Sequence, residues 1–128
     1  MKDKTLTDSR LPIWKHVNNI EYIFIDFTGL NDEKKFIQLV EDSVMEAMKR
    51  PDKSVRAMVY LKNSTASPKA IRVIKKLGKQ VQPKLKRSVV IGSMGIVSLL
   101  MKIYISHTGS KIKFFTDKEV ALKYLLDD

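Results

Sequence analysis

The run from Ile20 to Phe27, IEYIFIDF, is rich in β-branched and aromatic residues and closes on Thr28-Gly29, which predicts a buried strand followed by a turn. A helix is expected next. Asn31 is placed to cap it, Asp32 and Glu33 suit its first turn, and Phe36, Leu39, Val40, Val44, Ala47 and Met48 recur at helical spacing until Pro51. Val55 to Lys62, VRAMVYLK, reads as a second strand. Ser67 before Pro68 is an N-cap and first-turn pair; it opens a helix with Ala70, Ile71, Ile74, Leu77 and Val81 on one face, ending before Pro83. Ser88 to Ile91, bounded by Gly92, predicts a third strand, and an apolar helix from about Met94 to Ser106 should close at Thr108-Gly109. Lys111 to Phe115 is the fourth strand. Thr116 and Glu119 have the spacing of a capping box, with Val120, Ala121, Tyr124 and Leu125 as the inner face of the last helix.

This alternation predicts an α/β fold: four βα units whose strands form a mostly parallel sheet flanked by helices, joined by right-handed crossovers. The units share no sequence pattern, so they are not a solenoid. Ahead of them, Ile13 to Val17 followed by Asn18-Asn19 suits an extra N-terminal antiparallel edge strand folded back as a hairpin on Ile20 to Phe27; a short helix or loose arm is the competing reading. Residues 1–128 are expected to form one domain, with 1–12 a flexible arm. A chain of 128 residues buries roughly two-thirds of its unfolded surface, enough for a core without staples. There is no cysteine, so disulfides are excluded, and five Gly and four Pro exclude collagen-like and low-complexity chains. MKDKTLTDSRLP has no apolar core of a targeting signal, and the uncharged run Ser88 to Met101 is too short to span a bilayer. A cytoplasmic protein is therefore expected.

Charge is unevenly placed. The chain has 24 Lys and Arg against 14 Asp and Glu, a formal net charge of +10, yet no acidic residue lies between Lys53 and Thr116. Fourteen cations fall in that stretch, and the rest of the chain holds the other ten beside all 14 acids. In the helix over 67–82, Lys69, Arg72, Lys75, Lys76 and Lys79 share one arc opposite the apolar face, giving a basic amphipathic helix. Such a face suits an acidic protein partner, an anionic lipid surface or a nucleic-acid backbone; the plainer reading is a solvated lysine face. Nucleic acid fits least well, because Tyr60 and Phe114 fall in predicted strands and no RNP-type motif occurs.

If the strands are parallel, the turns after Phe27, Lys62, Ile91 and Phe115 share one edge with the helix N-termini. Thr28, Gly29, Asn63, Gly92 and Ser93 are then a candidate anion-binding rim, with Gly92-Ser93-Met94-Gly95 allowing close backbone approach to the phosphate or carboxylate of a lipid or nucleotide. A tight strand-to-helix turn is the simpler account, since neither a Walker pattern nor GxGxxG is present. The helix after Ser93 has an apolar arc wider than one sheet needs, and Val97, Met101 and Tyr104 are expected to meet a second subunit in a homodimer, the N-terminal arm with Trp14, or a lipid tail. Signs of catalysis are few. His16 and His107 lie in no metal or triad spacing, and there is no GxSxG elbow. Asp26 and Asp117 both follow strands and can pair at the rim or bind Mg²⁺, though a turn residue accounts for Asp26. No catalytic residue, metal ligand or cofactor is expected.

The segments NNIEYIFIDFTGL, SVVIG, HTGSKIKFF and TDKEVALKYL together resemble the STAS superfamily, in particular its small stand-alone bacterial members akin to sporulation anti-sigma-factor antagonists, of STAS/SEC14-like type. The resemblance covers roughly residues 15 to 126. It implies a mixed-sheet α/β fold, no enzymatic activity, and a regulatory role through binding another protein, or a nucleotide or lipid. In regulated members a partner kinase phosphorylates a Ser or Thr where the helix after the second strand opens. The matching stretch makes Ser64, Thr65 and Ser67 the candidate phosphoacceptors. Here Lys62-Asn63 replaces the family's preceding acid and Ala66-Ser67 its following Gly-Leu. The competing role for Ser67 is a helix cap stabilising by about 1 kcal/mol.

Overall fold

Asn18 and Asn19 both adopt left-handed backbone conformations, with φ of 51° and 67°, and so form the two-residue loop of a tight hairpin. The computed structural model describes residues 10–92, 95 and 112–127. In it β1 (Ile13–Val17) runs antiparallel to β2 (Ile20–Asp26), Ile13 lying opposite Phe24 and Val17 opposite Ile20. The hairpin reading holds, and the arm reading is excluded for Ile13–Val17.

After β2 come α1 (Glu33–Met48), β3 (Val55–Tyr60), α2 (Pro68–Val81) with a short 3₁₀ turn over Gln82–Lys84, β4 (Leu85–Ile91), β5 (Ile112–Phe115) and α3 (Lys118–Leu126). The sheet order is β1-β2-β3-β4-β5, with β2 to β5 mutually parallel. It is the predicted α/β arrangement with its antiparallel edge.

Period-two alternation divides the sheet between two cores. Ile23, Ile25, Val55, Ala57, Leu85 and Val90 pack with Phe36, Leu39, Val40 and Ala47 of α1 and Ala70 of α2. The opposite face sends Tyr22, Met58, Val89 and Ile91 against Ala121 and Leu125 of α3. Right-handed crossovers between neighbouring parallel strands put α1 and α2 on the same side, and α3 folds back under the other. Two arginines hold α3 there. Arg56, buried in β3, donates to the carbonyls of Leu125 (2.8 Å) and Asp127 (3.0 Å), and Arg87 of β4 donates to that of Tyr124 (2.7 Å). These cations meet the carbonyl end of the helix, where its dipole is negative.

Several expected boundaries move by one to three residues. Asp32, not Asn31, caps α1, accepting from the Lys35 N–H at 3.0 Å. Asn31 instead bridges two loops, donating to the Gly29 carbonyl (3.3 Å) and accepting from the Thr65 hydroxyl (3.0 Å). Thr116 does not form the expected capping box. Asp117 caps α3, its Oδ1 accepting from the N–H groups of Glu119 (2.8 Å) and Val120 (3.4 Å), a charged acceptor at the positive end of the helix dipole. Val120 is 53% exposed and Met48 47%, so neither belongs to an inner face; on α1, Ser43 takes a buried place by donating to the Leu39 carbonyl at 2.6 Å. β4 begins at Leu85 rather than Ser88 because Leu85 and Arg87 pair with Val55 and Arg56 across a register shift. Of the expected helix over 94–106 only Gly95 is described, and it is helical; Ser93, Val97, Met101 and Tyr104 lie outside the described residues. No helix among the described residues is long and apolar enough to cross a membrane.

Candidate functional site

Pro68 starts α2 and Ser67 caps it, its hydroxyl accepting from the Ala70 N–H at 3.1 Å. Ala70 is fully buried, with Ile71, Ile74, Leu77 and Val81 partly buried against the α1 core. Helical geometry therefore turns Lys69, Arg72, Lys75, Lys76 and Lys79 outward, and all five are exposed. Among the described residues none of the five has an ion pair or hydrogen bond. Three cations elsewhere are in ion pairs with acids: Arg50 with Glu21 (3.1 Å), Lys49 with Glu46 (2.7 Å), Lys84 with Asp52 (3.0 Å). The first turn of α2 holds no acid, so the positive end of the helix dipole adds to the field of Lys69.

The loop leading into α2 brings together the three candidate phosphoacceptors in different settings. Asn63 turns the chain with φ of 54°. Ser64 donates its hydroxyl to the Leu61 carbonyl at 2.9 Å, and Ser67 is occupied by the cap. Thr65 is exposed; its hydroxyl meets the Asn31 side chain at 3.0 Å.

Thr28, Gly29, Asn63 and Gly92 do share the carboxyl edge of the parallel strands, but much of their backbone is committed inside the rim. The N–H of Gly29, at φ of 68°, donates to Lys62 (3.0 Å), that of Gly92 to Phe115 (3.2 Å), and that of Thr28 to the Asp26 carboxylate (2.9 Å). The Thr28 hydroxyl bonds the same carboxylate oxygen at 2.5 Å. Asp26 is thus a turn residue. Asp117 is a helix cap, and the described residues include no group of three His, Asp or Glu side chains able to hold a metal ion.

A cavity of about 120 Å³ lies between the sheet and the α1–α2 layer, walled by Val40, Val44, Ala57, Ile74 and Val90, with Ser43 and Ser88 the only polar side chains of the lining among the described residues. That volume suits a group of about benzene size and falls short of the roughly 300 Å³ at which ligand sites begin.

At the hairpin end, Arg50 places its guanidinium 4.0 Å from the Trp14 ring centre while bonding both Glu21 oxygens at 3.1 and 3.2 Å. The Arg50 bond holds the Glu21 carboxyl below its ordinary range and raises the Arg50 guanidinium in turn. Glu46 is likewise lowered, first by Lys49 and then by the Trp14 indole N–H, 3.1 Å away. Burial raises the Tyr22 hydroxyl.

Sequence reasoning missed a group on the α3 face. Phe24 of β2 and Tyr60 of β3 lie side by side there, their ring centres 6.4 Å apart, with Lys15 and Lys118 close over the rings. Alternation along β1, β2 and β3 was available to place Lys15, Phe24 and Tyr60 on one face; the approach of Lys118 depends on how α3 returns.

No family model matches the chain, and no curated protein matches it. Among solved structures, it is similar to an uncharacterized protein of the DUF3478 family with a SpoIIAA-like fold from Shewanella loihica PV-4, with a TM-score of 0.70, 18% identity, and coverage of 89% of this chain and 91% of that one. The fold is therefore SpoIIAA-like, the STAS-like arrangement.

Proposed function

We propose that this chain is a non-catalytic regulatory module of STAS type that recognises an acidic protein surface through α2. The observation carrying this reading is the row Lys69, Arg72, Lys75, Lys76 and Lys79, exposed and without acidic partners among the described residues. Five unneutralised charges on one rigid helix repel one another, and an acidic partner relieves that repulsion while gaining electrostatically steered association. The SpoIIAA-like fold supports a binding role over a catalytic one, as does the engagement of Asp26 and Asp117 in turn and cap.

Regulation by phosphorylation fits the same helix. Thr65 is the exposed hydroxyl of the three candidates, and a phosphate there adds about two negative charges at the start of the basic helix, opposing an acidic partner.

The test is a pull-down from the source organism with the wild-type chain and with Lys69→Glu, Arg72→Glu, Lys76→Glu and Lys79→Glu combined. A specific protein with an acidic surface should be retained by the first and lost by the second. Retention of every partner by the reversed variant refutes the reading. Flotation with vesicles containing anionic phospholipid is the second arm; charge-dependent flotation without protein capture would assign α2 to a lipid surface instead.

A further inference from the structure

On the α3 side of the sheet, the helix packs chiefly over β3, β4 and β5, and Tyr22 of β2 is buried beside it. Phe24 and Tyr60 sit at the border of that buried cluster, half-buried, with their ring planes inclined by 38°. Ile13, paired with Phe24 across the hairpin, is 55% exposed. Three exposed lysines from three separate elements converge on the two rings. Lys15 of β1 places its ammonium 4.3 Å from the Phe24 centre; Lys118, at the start of α3, lies 5.2 Å from Phe24 and 5.6 Å from Tyr60; Lys62, after β3, lies 6.0 Å from Tyr60. None of the three has an ion pair among the described residues. The acids on the nearby turns are turned to the backbone, Asp26 toward Thr28 and Asp117 toward Glu119 and Val120.

We infer that this face is a stacking platform for a single-stranded nucleic acid: two successive bases displace the Lys15 and Lys118 ammoniums from the faces of Phe24 and Tyr60, and the displaced lysines, with Lys62, hold the flanking phosphates. Adjacent strands that present aromatic rings among cations are a recurrent way to hold unpaired bases, since every base has a π-face and every linkage an anion. The ring spacing of 6.4 Å is close to twice the roughly 3.4 Å rise of a stacked strand, which suits neighbouring bases splayed onto separate rings. An acidic protein surface would use the lysines but gain little from the rings. Strand-borne aromatics, which at the level of sequence told against nucleic acid, become the contact surface once two of them share a face. The platform is on the opposite side of the sheet from α2 and is independent of acidic-partner recognition.

Fluorescence anisotropy on the full chain with labelled dT and rU twelve-mers, at low and physiological salt, tests this. Wild type should bind both oligomers, and a 2-aminopurine base within them should lose fluorescence as it stacks. Phe24→Leu with Tyr60→Leu, which keeps apolar bulk, should weaken binding by about tenfold or more and abolish the quenching, with the salt dependence unchanged. Lys15→Gln, Lys62→Gln and Lys118→Gln together should lower the slope of log affinity against log salt by about 2. Glutamine at Lys69, Arg72, Lys76 and Lys79 should leave the quenching and its loss in the leucine variant intact. Absence of wild-type binding at physiological salt overturns the inference, as does equal binding by the leucine variant. If that variant does not fold, absence of quenching in wild type, or an unchanged slope in the glutamine triple, overturns it alone.

Discussion

Arg50 and Trp14 stack, guanidinium over indole at 4.0 Å, and this contact ties the C-terminal end of α1 to the edge hairpin. Arg50 also bonds Glu21 on β2, and Trp14 reaches Glu46 on α1, so the hairpin is held by one connected group of four side chains. Trp14→Ala is expected to lower stability by about 2 kcal/mol, below the figure for a fully buried aromatic because Trp14 is only partly buried. Arg50→Ala should shift the emission of Trp14, the only tryptophan, as the indole loses its cover. Chemical denaturation and the emission spectrum check both.

The same group sets a pH dependence. Glu21 and Glu46 are held below the ordinary glutamate value in the folded chain, so each contributes stability that is present above its unfolded pKa and lost as pH falls through its folded pKa. The unfolding midpoint should fall on acidification below about pH 4.5, the ordinary value, and Glu21→Gln with Glu46→Gln should flatten that fall. An equally steep loss in the double variant would place the acid sensitivity elsewhere.

Arg56→Met should cost about 2 to 3 kcal/mol, since it leaves the buried Leu125 carbonyl, and the Asp127 carbonyl beside it, without the charged donor that satisfies both. Arg56→Lys should recover little of that, because a single ammonium does not reproduce the planar guanidinium fork. Urea titration gives the size of the loss.

Ser67→Ala removes the α2 cap and is expected to cost about 1 kcal/mol, whereas Ser67→Asp keeps an acceptor for the Ala70 N–H and should be nearly neutral. Thr65→Glu, on an exposed loop, should change stability by less than about 0.5 kcal/mol while weakening the acidic partner. Thermal melts alongside partner titrations separate the two roles.

Local signals carried the element order well. The β-branched run at Ile20, the Ser67-Pro68 start and the Asn18-Asn19 turn each act through chemistry within a few residues, and each element forms where that chemistry places it. The errors arise where neighbouring residues compete for one task. Asp32 displaces Asn31 and Asp117 displaces Thr116 as caps, choices settled by where the incoming chain bends. Periodicity alone places Val120 inward, yet α3 is rotated so that Ala121 and Leu125 face the sheet. The basic face of α2 was legible because it lies on one helix. The grouping of Phe24, Tyr60, Lys15 and Lys118 was not, because it needs three strands in register and a helix returning under them.

Lysine-reactivity footprinting of the partner complex against the free chain tests the role of α2 most directly. The account predicts that Lys69, Lys75, Lys76 and Lys79 lose reactivity on complex formation while Lys34 and Lys123, exposed on other helices, keep theirs. Unchanged reactivity along α2 in a stable complex would contradict it.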